Sequence, residues 1–218
     1  MINYFKNLLW DTTIIKEELP NEDINVVWIH GANQTSLSFQ YLRSLTRFKK
    51  ETLVNYTSLN KFQDNLDVLA ETINQNSGPH FFIGHSMGGL YALHLTKYVN
   101  VVGAVSISTP FAGSWTADWA KYIVPSYPLF KDIGRRSDPV KKGMSIELTI
   151  PWTQIVSTSG SVPYHGGPND GVVTIESMKS RKDVDIVEVS HGHYETMCSN
   201  QVSKILTSCY SRVYAKGC

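Results

Sequence analysis

Apolar residues along the chain fall into two kinds of stretch that take turns. Short continuous apolar runs alternate with longer segments where apolar residues recur every three or four positions. The first clear run is Val26-Val27-Trp28-Ile29, which ends at His30-Gly31. A run that is apolar at every position predicts a strand buried on both faces, as in the middle of a parallel sheet. Gln34 to Phe48 reads as a helix, with Leu37, Tyr41, Leu45 and Phe48 at helical spacing and Arg43, Arg47 and Lys49 facing out. Thr52 to Tyr56 is a weaker strand. Asn60 to Asn76 reads as an amphipathic helix whose buried stripe is Phe62, Leu66, Leu69 and Ile73, stopped by Ser77-Gly78-Pro79. Further strands are predicted at Phe81 to Ile83, Val101 to Ile107, Trp152 to Ser157 and Val184 to Val189, with helices over Met87 to Tyr98 and His193 to Tyr214. Ahead of all these, Thr12 to Ile15 reads as a short strand and Glu17 to Asp23 as a polar turn.

From Phe111 to Gly143 the pattern changes. Aromatics, prolines and glycines mix there without a long clean period, which reads as an insertion over the sheet edge with one helix near Ser114 to Val124. Elsewhere strands and helices alternate. That implies an α/β fold, a mostly parallel central sheet with helices on both faces. With no repeat, low-complexity tract or linker in view, residues 1–218 read as a single domain.

Composition narrows the class without naming it. A hydrophobic fraction of 42% with 18% charged residues is ordinary for a soluble globular chain. A formal net charge of +1, with no block of one sign, gives no hint of a nucleic-acid or anionic-membrane partner. No apolar run reaches the length of a membrane span. Met1 to Pro20 lacks the clean apolar centre and small-residue cleavage site of a secretory signal, so a cytoplasmic location is expected, with export left open. Cys198, Cys209 and Cys218 form no C-x-x-C pair, so no metal site is expected. They read as free thiols, with a Cys209–Cys218 bridge as the alternative.

The chemistry gathers where strands end. Between the run Phe81-Phe82-Ile83 and the helix that follows lies Gly84-His85-Ser86-Met87-Gly88-Gly89. Gly-x-Ser-x-Gly in this setting is a nucleophile elbow, a serine on a sharp strand-to-helix turn. Flanking glycines are needed because a Cβ there would collide with neighbouring backbone. The alternative is a glycine-rich turn whose serine merely caps the helix. A serine hydroxyl needs a base, and the base an orienting acid. After such an elbow the acid and then the histidine come later in the chain. Asp170, in Asn169-Asp170-Gly171, is the candidate acid, against a plain turn role for that aspartate. His193, in Ser190-His191-Gly192-His193-Tyr194, is the candidate base because it stands just after a glycine at the expected start of the closing helix. His191 is second choice and His165 third, while His80 and His94 carry no motif.

A tetrahedral intermediate would also need two backbone N–H donors. One is expected from Met87, after the nucleophile. The other is expected from Ala32, in His30-Gly31-Ala32-Asn33, with Asn33 as fallback. His30 reads as a buttress of that loop. Trp115, Trp119, Tyr122 and Ile123 in the insertion, with Tyr127 and Phe130 after them, read either as an apolar wall or lid for an acyl chain or as ordinary packing on the core.

With these residues in place the chain resembles the α/β-hydrolase family, and within it the small lipases and esterases. The strongest pieces are Ile29-His30-Gly31 and Gly84-His85-Ser86-Met87-Gly88-Gly89. Ser108-Thr109-Pro110-Phe111-Ala112-Gly113-Ser114 resembles the T-P-x-x-G-S stretch of many lipases, and Asn169-Asp170-Gly171-Val172-Val173 their acid loop. Gly192-His193 matches the family's glycine-histidine before the last helix. The likeness implies a minimal form of the fold, without its first two strands, a calcium site or a long cap domain. It implies hydrolysis of small-molecule or lipid carboxylic esters with no cofactor. A thioesterase, amidase or acyltransferase on the same residues is the neighbouring expectation, and a binding protein that lost turnover the more distant one.

Overall fold

A strand apolar at every position needs a cover on each face, and the fold supplies two. The computed structural model describes residues 24–124, 126–160, 162 and 167–215. Its strands are β1 (Asn25–Ile29), β2 (Glu51–Val54), β3 (His80–His85), β4 (Val101–Ile107), β5 (Trp152–Ser157) and β6 (Asp185–Val189). Its helices are α1 (Gln40–Thr46), α2 (Phe62–Asn74), α3 (Met87–Leu95), α4 (Trp115–Ile123), α5 (Pro128–Asp132), α6 (Asp138–Met144), α7 (Ile175–Met178) and α8 (Asn200–Ala215). The strands form one six-stranded sheet in the order β2-β1-β3-β4-β5-β6, parallel throughout.

Side chains of successive strand residues point to opposite faces, and the core divides accordingly. Val27, Ile29 and Phe82 pack beneath α2 and α3. Val26, Trp28, Phe81 and Ile83 pack on the other side, beneath α1 and α8. Phe62, Leu66, Leu69 and Ile73 of α2 are all buried, as their spacing predicts. Each such side chain contributes about 2 kcal/mol of transfer free energy. Every residue of α3 is buried, so that helix runs through the core and shows no polar face.

Three expectations need correcting. The chain after β1 enters through a 3-10 turn, Ser36–Phe39, before α1 begins. That tighter winding rotates the apolar stripe. Phe39 and Leu42 are buried, with Phe39 lying 4.9 Å from the Trp28 ring, whereas Leu37, Tyr41 and Leu45 are exposed. The closing helix begins at Asn200, preceded by a 3-10 turn at Glu195–Cys198, so His193 lies in the connecting loop and not at a helix start. The insertion holds three short helices, α4 to α6, instead of one. Cys198 and Cys209 are free thiols. Cys218, His165, the Thr12–Ile15 strand and the Glu17–Asp23 turn lie outside the described residues.

The strand order decides where a site can form. The connection from β1 runs to β2 on one side, and the connection from β3 runs to β4 on the other. Connections that part in this way open a crevice at the carboxyl ends of the two strands. Gly31-Ala32 leaves β1 there, and Ser86 leaves β3.

Candidate active site

Ser86 has φ 53° and ψ −121°, outside the range a serine adopts without strain. Its N–H donates to the Ile107 carbonyl at 2.8 Å, which pins the elbow to β4. The glycines explain how the turn fits. A Cβ on Gly84 would stand 2.7 Å from the Gly88 carbonyl and the Gly89 backbone. A Cβ on Gly88 would run into the carbonyl oxygens of Ile29 and His30. The close approach of α3 to β1 therefore depends on bare backbone at both positions.

Asp170 is buried, and all of its acceptor capacity is used. Its Oδ1 accepts from the N–H groups of Val172 (3.0 Å) and Val173 (2.8 Å). Its Oδ2 accepts from His193 Nδ1 at 2.7 Å and from the Ser157 hydroxyl. Burial pushes the carboxyl pKa up, but these donors outweigh it, and the group is held below the ordinary carboxylate range. The loop carrying the base is tied to the acid a second time, by His193 N–H donating to the Asp170 carbonyl at 2.9 Å. Because the carboxylate only accepts, it is His193 Nδ1 that donates its N–H to Asp170.

Ser86 and His193 line one cavity of about 460 Å³. Ala32, Met87 and Val172 line it as well, and the insertion contributes Ala120, Leu129 and Phe130. Ser86 Oγ takes no hydrogen-bond partner among the described residues and opens into that space. In ligand-free enzymes such bonds are often long and close only around substrate. The neighbouring backbone shows which donors are spoken for. Gly31 N–H donates to Gln34 Oε1 (3.1 Å), and Asn33 N–H donates to Ser58 Oγ (2.9 Å). Between them Ala32 N–H has no partner among the described residues, and neither has Met87 N–H at the start of α3. A helix start adds a positive dipole end to that second donor.

Several residues around this centre carried no readable signal. His85, within the elbow, faces the Gln34 amide oxygen with Nδ1 (3.1 Å) and the His193 carbonyl with Nε2 (3.1 Å). Full burial, and the His193 ring beside it, push its pKa down to about 3. As a neutral ring it has one N–H to give to these two oxygens, and it fills the space between the β1 loop and the His193 loop. Ser157 is itself bonded to Ser108 at 2.7 Å, so the polar chain runs on behind Asp170. Ser108 shares with Ser86 a positive φ, 53°. Ser157 had in advance only its place at the end of β5, whereas Ser108 also opens the Ser108-Thr109-Pro110 stretch.

The remaining histidines separate clearly. His191 is not among the described residues lining the cavity, and its Nδ1 is buried with no partner among the described residues. His30 stacks on Tyr56 at 4.3 Å and takes the Tyr56 N–H on Nε2 (3.2 Å), with Nδ1 on the Gly31 carbonyl (2.8 Å). Burial lowers its pKa, and it buttresses the loop as expected. His80 and His94 are likewise held in packing contacts, to Asn25 and to the Pro139 carbonyl.

The insertion departs from the sequence expectation in which face it turns inward. Thr116, Ala117 and Ala120 of α4 line the cavity, while Trp119, Tyr122 and Ile123 point to solvent, at 60, 76 and 81% exposure. Of the other side chains named with them, Phe130 lines the cavity and Tyr127 packs against the core, whereas Trp119, Tyr122 and Ile123 do neither.

The sequence model of the alpha/beta hydrolase family matches residues 26–168. The chain belongs to that family. No curated protein sequence matches it. Among solved structures it is similar to a lipase-esterase related protein from Clostridium acetobutylicum ATCC 824, at 15% identity and TM-score 0.62, over 85% of this chain and 94% of that one. It is also similar to a monoacylglycerol lipase from Paleococcus ferrophilus, at 14% identity and TM-score 0.63, over 87% and 94% of the two chains. A mature Bacillus licheniformis lipase gives 14% identity and TM-score 0.63 over 89% and 94%. At these identities the likeness carries the fold, a hydrolase fold with lipase and esterase neighbours.

Proposed function

We propose that the chain is a serine hydrolase that cleaves carboxylic esters through an acyl-enzyme. Ser86 Oγ attacks the ester carbonyl while His193 Nε2 takes its proton. Asp170 keeps the ring in the Nδ1–H tautomer and stabilises its cation. The oxyanion is held by Ala32 N–H and Met87 N–H. His193 then returns the proton to the leaving alcohol. Water enters, loses a proton to the same ring, and releases the acid. Side chains and backbone suffice for each step.

The observation that carries this reading is the Asp170–His193 pair at 2.7 Å, whose histidine lines the same cavity as a strained serine and two N–H donors without partners among the described residues. A capping serine would need neither the strain nor the pair. The apolar lining from Val172, Leu129 and Phe130 favours an acyl group over a charged substrate. The test is turnover of dissolved chromogenic esters, thioesters and amides by the parent chain and by Ser86→Ala. Esters are expected to be the fastest class, and the variant is expected to lose at least about 10⁴-fold while staying folded. Thioesters or amides turned over faster would move the assignment to that class, and ordinary turnover by the variant would remove Ser86 from the chemistry.

A further inference from the structure

The arrangement of α4 is the reverse of what burial alone would select. A surface helix normally turns its large apolar residues inward. Here the small residues Ala117 and Ala120 face the cavity, and Trp119, Tyr122 and Ile123, spaced three and four apart, face water. The four most exposed large apolar side chains of the described residues are Ile123 (81%), Tyr122 (76%), Leu37 (73%) and Leu59 (71%). All four lie on connections that leave carboxyl ends of strands, after β4, β1 and β2, the end at which the cavity lies. Gathered apolar exposure of this kind marks an interaction surface.

Charge says which surface it fits. Residues 111–143 hold six Lys and Arg against three Asp, a net +3, in a chain whose total is +1. Asp118 of α4 lies between Lys121 (3.8 Å) and Arg135 (2.8 Å), two cations on one carboxylate. Lys121 Nζ also stands 5.3 Å from the Tyr122 ring centre. Lys131, Arg136, Lys141 and Lys142 are exposed. Exposed apolar tips with Lys121 beside them, on a segment of net positive charge, match the boundary layer of an anionic lipid surface, where rings bury their apolar bodies beside negative headgroups.

We infer that the outer face of α4, with Leu37 and Leu59 at the rim, docks the protein onto an anionic lipid surface and turns the cavity toward it. As a route for substrate this rests on the ester-hydrolase reading; as a binding surface it stands alone. The test is flotation of the full chain with vesicles of equal parts phosphatidylcholine and phosphatidylglycerol, against vesicles of phosphatidylcholine only. The parent is expected to float with the anionic vesicles, and to be released at about 1 M salt, where charges are screened within about 3 Å. The Trp119→Ser/Tyr122→Ser/Ile123→Ser variant is expected to lose about tenfold or more of that binding, and the single Ile123→Asp several-fold. Both are expected to hydrolyse a dissolved short-chain ester at the parent rate. Parent that does not float, or variants that float as well as parent, would overturn the inference. So would parent that self-associates in lipid-free buffer through these residues, since the occupant would then be a second copy. Floating parent with no turnover of any dissolved ester would overturn the hydrolase reading and leave the docking face standing.

Discussion

The wall of the cavity that comes from the sheet and the wall that comes from residues 111–143 differ in how their side chains are held. On the sheet side, Asp170 takes four donors, and His193 is bonded to it through both ring and backbone. Ser86 is fixed by its own N–H and by glycines that permit no Cβ. On the insertion side, α4 turns small side chains to the cavity, and the segment is joined to the body mostly by bonds away from the cavity, among them Ser177 Oγ to the Gly113 carbonyl (2.7 Å) and Arg181 to the Gly143 carbonyl (2.9 Å). Tyr127 bonds Asn33, the Phe62 N–H donates to Asp132 (2.9 Å), and His94 meets the Pro139 carbonyl (2.8 Å). Proton transfer tolerates little misplacement, so under the proposed reading the chemistry belongs to the densely bonded wall. Fit to an acyl group tolerates a methylene more or less, so selectivity can belong to the other.

The contrast breaks first at the pair. Asp170→Asn is expected to lose about 10⁴-fold in kcat for a dissolved ester, because the ring would be offered an N–H and take the wrong tautomer. His193→Ala is expected to lose as much or more. Circular dichroism checks that both remain folded, and kcat within tenfold of the parent would make either residue a bystander.

Gly88→Ala tests the packing that aims the serine. Its new methyl would press on the Ile29 and His30 carbonyls, and a loss of about 3 kcal/mol in stability by urea denaturation is expected. A midpoint unchanged from the parent would mean that α3 can move away from β1 at little cost.

His85 sharpens the same contrast through pH. Its folded pKa lies near 3, below the unfolded value of 6.5. The unfolded chain therefore binds a proton that the folded chain refuses across that interval. Stability is expected to fall as pH drops from about 6.5 toward 3, and not to respond to this group above about 6.5. His85→Asn is expected to flatten the curve in that window, read from urea midpoints at successive pH values. A curve parallel to the parent's would show that the ring is not held neutral.

The smallest effect is expected on the insertion side. Ala120→Phe fills the cavity from α4 and is expected to lower kcat/KM for long-chain esters about tenfold relative to short-chain ones, with the fold intact. Equal losses for both chain lengths would take α4 out of substrate selection.

What could be read in advance follows the same division. Continuous apolar runs gave β1 and β3, which are covered on both faces, while β5, which buries Thr153 and Gln154, and the partly exposed edge strand β6 were legible from alternation. The stripe of α2 was legible because one helix face meets one core. Gly84, Ser86 and Gly88 were legible because a strained turn restricts residue type locally. Ser157 was not, since its partners Asp170 and Ser108 stand 13 and 49 residues away in sequence and share no local pattern with it. The facing of α1 and α4 was not either. Leu37 and Trp119 sit at good helical spacing, but a 3-10 turn rotates the first stripe, and the second helix shows its small residues to the cavity. Periodicity reports that a helix has faces without saying which one is covered.

Exposure of the folded chain to a fluorophosphonate, followed by peptide mass mapping, bears most directly on the claim that His193 and Asp170 activate Ser86. One adduct is predicted, on Ser86, absent in Ser86→Ala and formed far more slowly in His193→Ala. An unlabelled parent, or an adduct that forms on Ser86 at the same rate without the histidine, would contradict it.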